Sequence, residues 1–327
     1  MKADYAITRD QFHYFFNRDN KPILHVKPGD SVRCELNDVS HYQITKDTKG
    51  RPGNMDRKKF FPLAGPIFVE GARPGDSLVV SIVDMKTVDY GWSGIYPVYC
   101  LPYREDPEYA RIDPEGLRPY LHLWDLSDGK YARFNDRIKV PIVPFPGTIG
   151  VAPKESGNPD AKSGHDKDGT DMTAFRHGGN MDIRHLTAGS KLILPVYAEG
   201  ALFSCGDPHA AQGEGELDTA IESPSEVLLS FDVEHKTIPN PRYFSAEADK
   251  TRDGPYFGFT GNAPDIVEAT LQARTNLIMY LKDEYGLSLE DAYMLVGVIA
   301  DLRIQQCVNG PNWTVALMVP KSILGIE

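Results

Sequence analysis

Between residues 180 and 216 the chain gathers Asp182, Asp207, His209, Glu214 and Glu216 among glycines, at the flanks of two apolar runs, 192–196 and 201–203. Apolar runs of this length read as buried strands, and polar side chains at their ends are held on a rigid frame. Carboxylate oxygens with an imidazole nitrogen are the donor set of a borderline-hard divalent cation, Zn²⁺, Mn²⁺ or Ca²⁺ according to geometry. The same Gly-Asp and Asp-Pro pairs also build ordinary turns, because a short carboxylate bonds its own backbone and glycine tolerates positive φ. A second chemistry is open to Cys205, four residues before His209. A thiol beside an imidazole can be an activated nucleophile, although a cysteine next to a strand is usually a small core residue.

Three residues elsewhere could join such a site. His41 lies in the polar run SHYQITKDTKG, where a surface position is the simpler reading; Glu70 ends an apolar strand, just before a glycine. Lys154 follows PGTIGVAP, whose glycines and prolines fix a tight backbone.

The elements that position these residues are announced by a weak internal repeat. Residues 27–32 (KPGDSV), 73–78 (RPGDSL) and 187–192 (TAGSKL) each place a glycine turn before an apolar, β-branched run. Turns of this kind deliver antiparallel strands. With 29 glycines and 25 prolines spread through the chain, short strands are favoured over long helices. Near the C-terminus the period changes. Val267, Leu271, Ile278 and Leu281 recur at helical spacing behind Pro264 as a first-turn residue. Ser288 and Asp291 read as a capping box opening a second helix, with Ala292, Leu295, Val296 and Ile299 on its apolar face. The run 314–319 reads as a closing strand. The expected fold is mainly β, with short antiparallel strands in a sandwich-like or barrel-like framework, and an α+β C-terminal part carrying two amphipathic helices. Residues 1–260 are expected to form the β-rich catalytic framework, with an irregular aromatic insertion at 86–137 and a polar surface loop at 153–171. Residues 261–327 are expected to pack on the same domain.

Composition narrows the partners. The 327 residues are 41% apolar and 25% charged, which is ordinary for a globular chain. A net charge of −11 repels phosphate backbones, so nucleic acid and anionic membranes are excluded as partners, and a small uncharged or cationic ligand fits better. Cys34, Cys100, Cys205 and Cys307 form no CxxC pair. MKADYAITRDQFHYFF is not a signal pattern and no apolar run approaches membrane-spanning length, so a cytoplasmic protein is expected.

Four segments together, VEGARPGD (69–76), PGTIGVAPKE (146–155), GGNMD (178–182) and GALFSCGDPHAAQGEGE (200–216), resemble the acetamidase/formamidase family of bacteria and fungi. The resemblance runs from about Ile23 to the C-terminal strand. It implies hydrolysis of formamide or acetamide to the carboxylate and ammonia, on a mostly β fold, in a homo-oligomer (dimer or higher). Carried over, the GNMD aspartate is Asp182, and the GDxHAxQGxGE motif supplies Asp207, His209, Gln212, Glu214 and Glu216. Where the family has G-D-G-E this chain has Gly213-Glu214-Gly215-Glu216, and the Cys205 position is not a fixed cysteine in the family.

The expected mechanism is metal-assisted amide hydrolysis. Amides are poor electrophiles, and a divalent cation, Zn or Ca, both acidifies water and polarises the carbonyl. Asp182, Asp207 and His209, with His41, are the expected ligands; Glu214 or Glu70 is the expected proton carrier, and Lys154 is expected to stabilise the oxyanion. Phe203 and Tyr197 are expected to wall a small pocket for a small uncharged amide. The rival readings are a non-catalytic, metal-stabilised β binding module and a Cys205-dependent thiol amidase.

Overall fold

The computed structural model describes residues 2–48, 55–95, 107–116, 118–154, 174, 176–217, 219–247, 255–307 and 310–326. The three glycine turns fold alike and feed one sheet. Gly29, Gly75 and Gly189 take φ values of 92°, 99° and 94°, a region that a side chain disfavours. Asp30 Oδ2 accepts the Lys27 amide at 2.7 Å, and Asp76 Oδ2 accepts the Arg73 amide at 3.0 Å, so the turn aspartate closes its own loop. The strands that follow, Ser31–Leu36, Ser77–Thr87 and Lys191–Pro195, lie in a six-stranded sheet. Strand Ser225–Glu234 pairs antiparallel with the first two, between them.

A second sheet of eleven strands carries the polar residues. Its central strand, Phe203–Ala211, is buried along its whole length. It pairs with Phe145–Gly150 on one side, and with Leu63–Val69 and Ile221–Glu222 on the other. Apolar side chains of the two sheets meet in one core: Val32, Leu78, Val80, Leu192 and Leu229 from the smaller sheet, Ile67, Ile149 and Phe203 from the larger. The two sheets pack face to face as a β-sandwich, one of the two frameworks expected from the glycine turns and the apolar runs behind them.

Cys205 belongs to this core. It is fully buried, and its hydrogen bond with Cys34 together with burial pushes its thiol up. A nucleophile needs the opposite shift and an accessible thiolate, so the Cys205 thiol reading is corrected. Phe203, expected to wall a pocket, is instead a fully buried residue of this core, 5.2 Å from the Phe231 ring.

Residues 86–137 contain more order than their aromatic content suggests. Their described part includes strands Tyr90–Ile95, Tyr120–Asp125 and Tyr131–Arg133, all in the large sheet, and the short helix Pro107–Ile112. Gly91, Gly94 and the half-buried tyrosines blur the two-residue alternation that marks a strand. Of the stretch 153–171, only Pro153 and Lys154 lie within the described residues.

The C-terminal part is a three-stranded sheet with two main helices. Strands Tyr256–Ala263, Trp313–Pro320 and Asp301–Gln306 pair antiparallel, and the short helix Lys321–Leu324, not the strand, follows last. The helix Ile266–Tyr285 is capped by Asp265, which accepts the Val267 and Glu268 amides, so Pro264 lies one residue outside the helix. The helix Leu289–Ile299 is buried at every position from Ala292 to Ile299, because its apolar residues surround it rather than forming one stripe. Its cluster includes Ala210, Ala211 and Ile221 of the large sheet and Leu277 of the long helix, so the C-terminal part shares a core with the sandwich. Only half of the expected capping box forms. Ser288 accepts the Asp291 amide at 3.0 Å, while the Asp291 carboxylate accepts the Tyr120 hydroxyl at 2.5 Å. Among the described residues no helix is long and apolar enough to cross a membrane.

This cap makes a stability prediction. Ser288→Ala should cost about 1 kcal/mol and Ser288→Gly only a few tenths, read from urea midpoints at constant slope. Equal losses for the two variants would show that the cap bond is not what holds this helix end.

Candidate active site

The central strand does not run straight through the site. Asp207 has φ of 53°, Asp182 47° and Glu216 41°, conformations uncommon for non-glycine residues that often mark functional sites. The register with Ile221–Glu222 shifts between His209 and Ala211. Asp207 and His209, two residues apart, share one face of the strand, and the bends adjust where on that face each side chain points. Thr148 on the neighbouring strand donates to Asn180 Oδ1 at 2.6 Å and Asp207 Oδ2 at 3.2 Å, tying the GNMD turn to the GDPH strand. The Asp182 amide donates to the Gly147 carbonyl at 3.1 Å. At Gly147 a Cβ would lie 2.7 Å from His209 Cε1 and closer still to Asp182 Oδ1, so glycine is what lets the two segments meet.

The result is a buried cluster. Asp182, Asp207 and His209 each present a ligand atom, all within 4.8 Å of one another. His209 Nε2 lies 3.4 Å from Asp207 Oδ1 and 3.2 Å from Glu222 Oε1, and Nδ1 lies 3.8 Å from Asp182 Oδ1. Phe145 covers the imidazole edge-on at 5.1 Å. Burial and then the neighbouring carboxylates Glu216 and Asp207 raise Asp182 well above the usual range. Burial pushes Glu222 up to about 7, and raises Glu216, which is hydrogen-bonded to Asp182. Burial alone would lower His209, but the negative Glu222 and Asp207 outweigh it and raise the imidazole well above its usual range. Four carboxylates around one imidazole leave excess negative charge with little water to dissipate it.

The hydrogen-bond inventory makes the same point. Asp182 Oδ1, Asp207 Oδ1, His209 Nδ1, Gln212 Oε1 and Glu222 Oε2 are buried without a hydrogen-bond partner among the described residues. Each such group costs about 1–3 kcal/mol, and buried polar atoms left unpaired side by side are the mark of an ion-binding site. A divalent cation fits the donor chemistry, two carboxylates and an imidazole, and the charge balance.

The remaining expected residues lie around this cluster or away from it. Glu214 faces outward: its carboxylate sits 3.7 Å from His185 Nε2 and 3.9 Å from Arg303 Nε. His41 lies outside the three-residue group, with φ of 55° and Nδ1 2.8 Å from the Tyr14 hydroxyl. Glu70 is exposed in a turn, its amide bonded to Val26, and Lys154 is exposed, its carbonyl taken by Arg18. Two further residues were not singled out from sequence. Glu222, on a two-residue strand paired with His209, was marked only by being an acid after the apolar pair Ala220 and Ile221. Arg184, two residues after Asp182, forms a buried ion pair with Asp301, with Nη2 3.2 Å from Oδ2, and donates to the Gln212 carbonyl at 3.2 Å.

The whole chain has relatives. The model of the Acetamidase/Formamidase family matches residues 2–165 and 160–326. A formamidase of Methylophilus methylotrophus is 31% identical, over 97% of this chain and 90% of its own length. An acetamidase of Mycolicibacterium smegmatis is 28% identical, over 87% and 84%. The solved structure of a gamma lactamase from Delftia acidovorans superposes with a TM-score of 0.80 at 25% identity, covering 97% of this chain and 90% of that one. With a match spanning both halves of the sandwich and the C-terminal part, the chain belongs to the acetamidase/formamidase family.

Proposed function

We propose that this protein hydrolyses short, uncharged amides such as formamide or acetamide to the carboxylate and ammonia, around a divalent cation, Zn or Ca, held by Asp182, Asp207 and His209. The observation that carries this reading is that Asp182, Asp207 and His209 each hold a buried polar atom without a hydrogen-bond partner and present ligand atoms within 4.8 Å of one another. Family membership supplies the reaction class. When bound, the cation polarises the amide carbonyl and acidifies water.

The chain's own residues do the rest. Asp182 and Asp207 set the charge at the reacting centre, and His209 is fixed between them by Glu222 and by the Phe145 ring. Glu216, hydrogen-bonded to Asp182, takes the proton of the attacking water and returns it to the departing amine, which leaves as ammonia. Burial raises this carboxylate, which brings a general base closer to neutrality. Glu214 is a rim residue that fastens its loop through His185 and Arg303. Thr148 and Gly147 keep the two ligand-bearing segments in register.

The protein is further proposed to act in the cytoplasm as a homo-oligomer. Strand Arg242–Phe244 ends the six-stranded sheet with Tyr243 and Phe244 44% and 65% exposed, an edge that a second copy would cover. Light scattering at micromolar concentration should give a multiple of 36.4 kDa; a mass of one chain contradicts this.

The site has sharper tests. Asp207→Ala or His209→Ala should lower bound metal and reduce kcat on acetamide roughly 100-fold or more. Cys205→Ala should leave kcat within about twofold, because its thiol is a core group; a large loss of kcat in the folded variant would restore the thiol reading. Asp182→Ala should also lose metal. Full metal occupancy in that variant, with native circular dichroism, would break the shared site even if Asp207 and His209 behaved as expected.

A further inference from the structure

Beside the carboxylate cluster lies a small cavity of about 50 Å³, with apolar walls from Val143, Phe145, Val298, Ile299 and Ile323. Two of its lining residues also touch the cluster. Phe145 packs on the His209 ring, and Gln212 donates through Nε2 to the Asp182 carbonyl at 3.1 Å. Gln212 is 5% exposed, and its Oε1 has no hydrogen-bond partner among the described residues. Arg184 also lines the cavity, but its guanidinium is engaged by Asp301 and the Gln212 carbonyl. The cavity therefore has apolar walls, a lining glutamine whose buried acceptor is unpaired, and a cation already neutralised.

We infer that this cavity is the acyl pocket of the enzyme, sized for acyl groups of one to three carbons, with Gln212 Oε1 accepting an N–H of the substrate amide. The inference rests on the amide-hydrolase reading and adds to it the residues that set chain length. Size is the first argument. A water needs roughly 10–15 Å³ of such volume, so the cavity holds the equivalent of about three to five waters, or a molecule of a few heavy atoms. Polarity is the second. An amide nitrogen brings two N–H donors, and an unpaired buried acceptor rewards a partner that supplies one. A carboxylate-bearing chain such as that of asparagine meets apolar walls and an arginine already paired, so its charge would be buried uncompensated.

Two variants move the wall in opposite directions. Ile299, in the helix Leu289–Ile299, is 2% exposed, and Ile299→Ala enlarges the cavity. Val143 is half-buried in a loop held by its amide bond to the Ala210 carbonyl, and Val143→Phe fills the cavity without breaking that bond. Each variant is assayed on formamide, acetamide, propionamide and butyramide, and the ratio of kcat/KM values is taken within one preparation. Such a ratio does not depend on the fraction of folded enzyme. Ile299→Ala should raise butyramide relative to acetamide about 10-fold or more, and Val143→Phe should lower acetamide relative to formamide by a similar factor, the discrimination expected per methylene. If wild type turns over amides but both ratios stay within twofold of its own, the acyl pocket is elsewhere. If wild type turns over none of the four amides, the amide-hydrolase reading fails, and this inference fails with it.

Discussion

Like charges brought together out of water repel, and this chain brings four carboxylates to one imidazole. Burial first, and that repulsion after it, raise the proton affinities of Asp182, Glu216 and Glu222, and His209 only partly offsets the rise. Much of the surrounding structure can be understood as what it takes to hold such a cluster closed. The strand carrying Asp207 and His209 is buried along both neighbours, so its bend at Asp207 is over-determined by pairing. A counter-cation turns the same repulsion into affinity, which is why the unsatisfied donor atoms and the electrostatics lead to one conclusion.

The C-terminal part contributes to the site although none of its carboxylates enters it. Asp301, at the start of a strand, pairs with Arg184 and accepts the Glu214 amide. One buried ion pair thereby fastens both the segment after Asp182 and the 212–216 loop to the three-stranded sheet. Gly213 sits so close to the end of the helix Leu289–Ile299 that a Cβ would lie 2.1 Å from the Ala300 carbonyl. Its amide donates to the Gly297 carbonyl at 2.9 Å. Removing either partner of a buried ion pair typically costs 3–5 kcal/mol, so the helical layer and the active-site loop are bound to stand or fall together.

Much of this was legible in the residues. The three glycine turns, the apolar strands beside them and the helical period after residue 264 all survive in the fold, because each is a local signal with a local cause. Asp182, Asp207 and His209 were legible for a different reason: acids and an imidazole among glycines are costly to bury unless something needs them there. What stayed hidden depends on contacts between distant segments. Glu222 acquires meaning only when its strand pairs with His209, and Arg184 only when Asp301 arrives from 117 residues away. Cys205 and His209 are close in sequence, but the thiol joins the sandwich core and the imidazole the carboxylate cluster. The helix Leu289–Ile299 was read as one-sided because spacing reveals a stripe but not how many neighbours surround it.

The central claim is that one cation is shared by three side chains, and anomalous diffraction from crystals of the metal-loaded protein tests it most directly. The account predicts a single strong peak about 2.0–2.3 Å from a carboxylate oxygen of Asp182, one of Asp207 and a ring nitrogen of His209 if the ion is zinc, and about 2.3–2.6 Å from them if it is calcium. A peak bound by other residues, or none between these three at full metal loading, would contradict it.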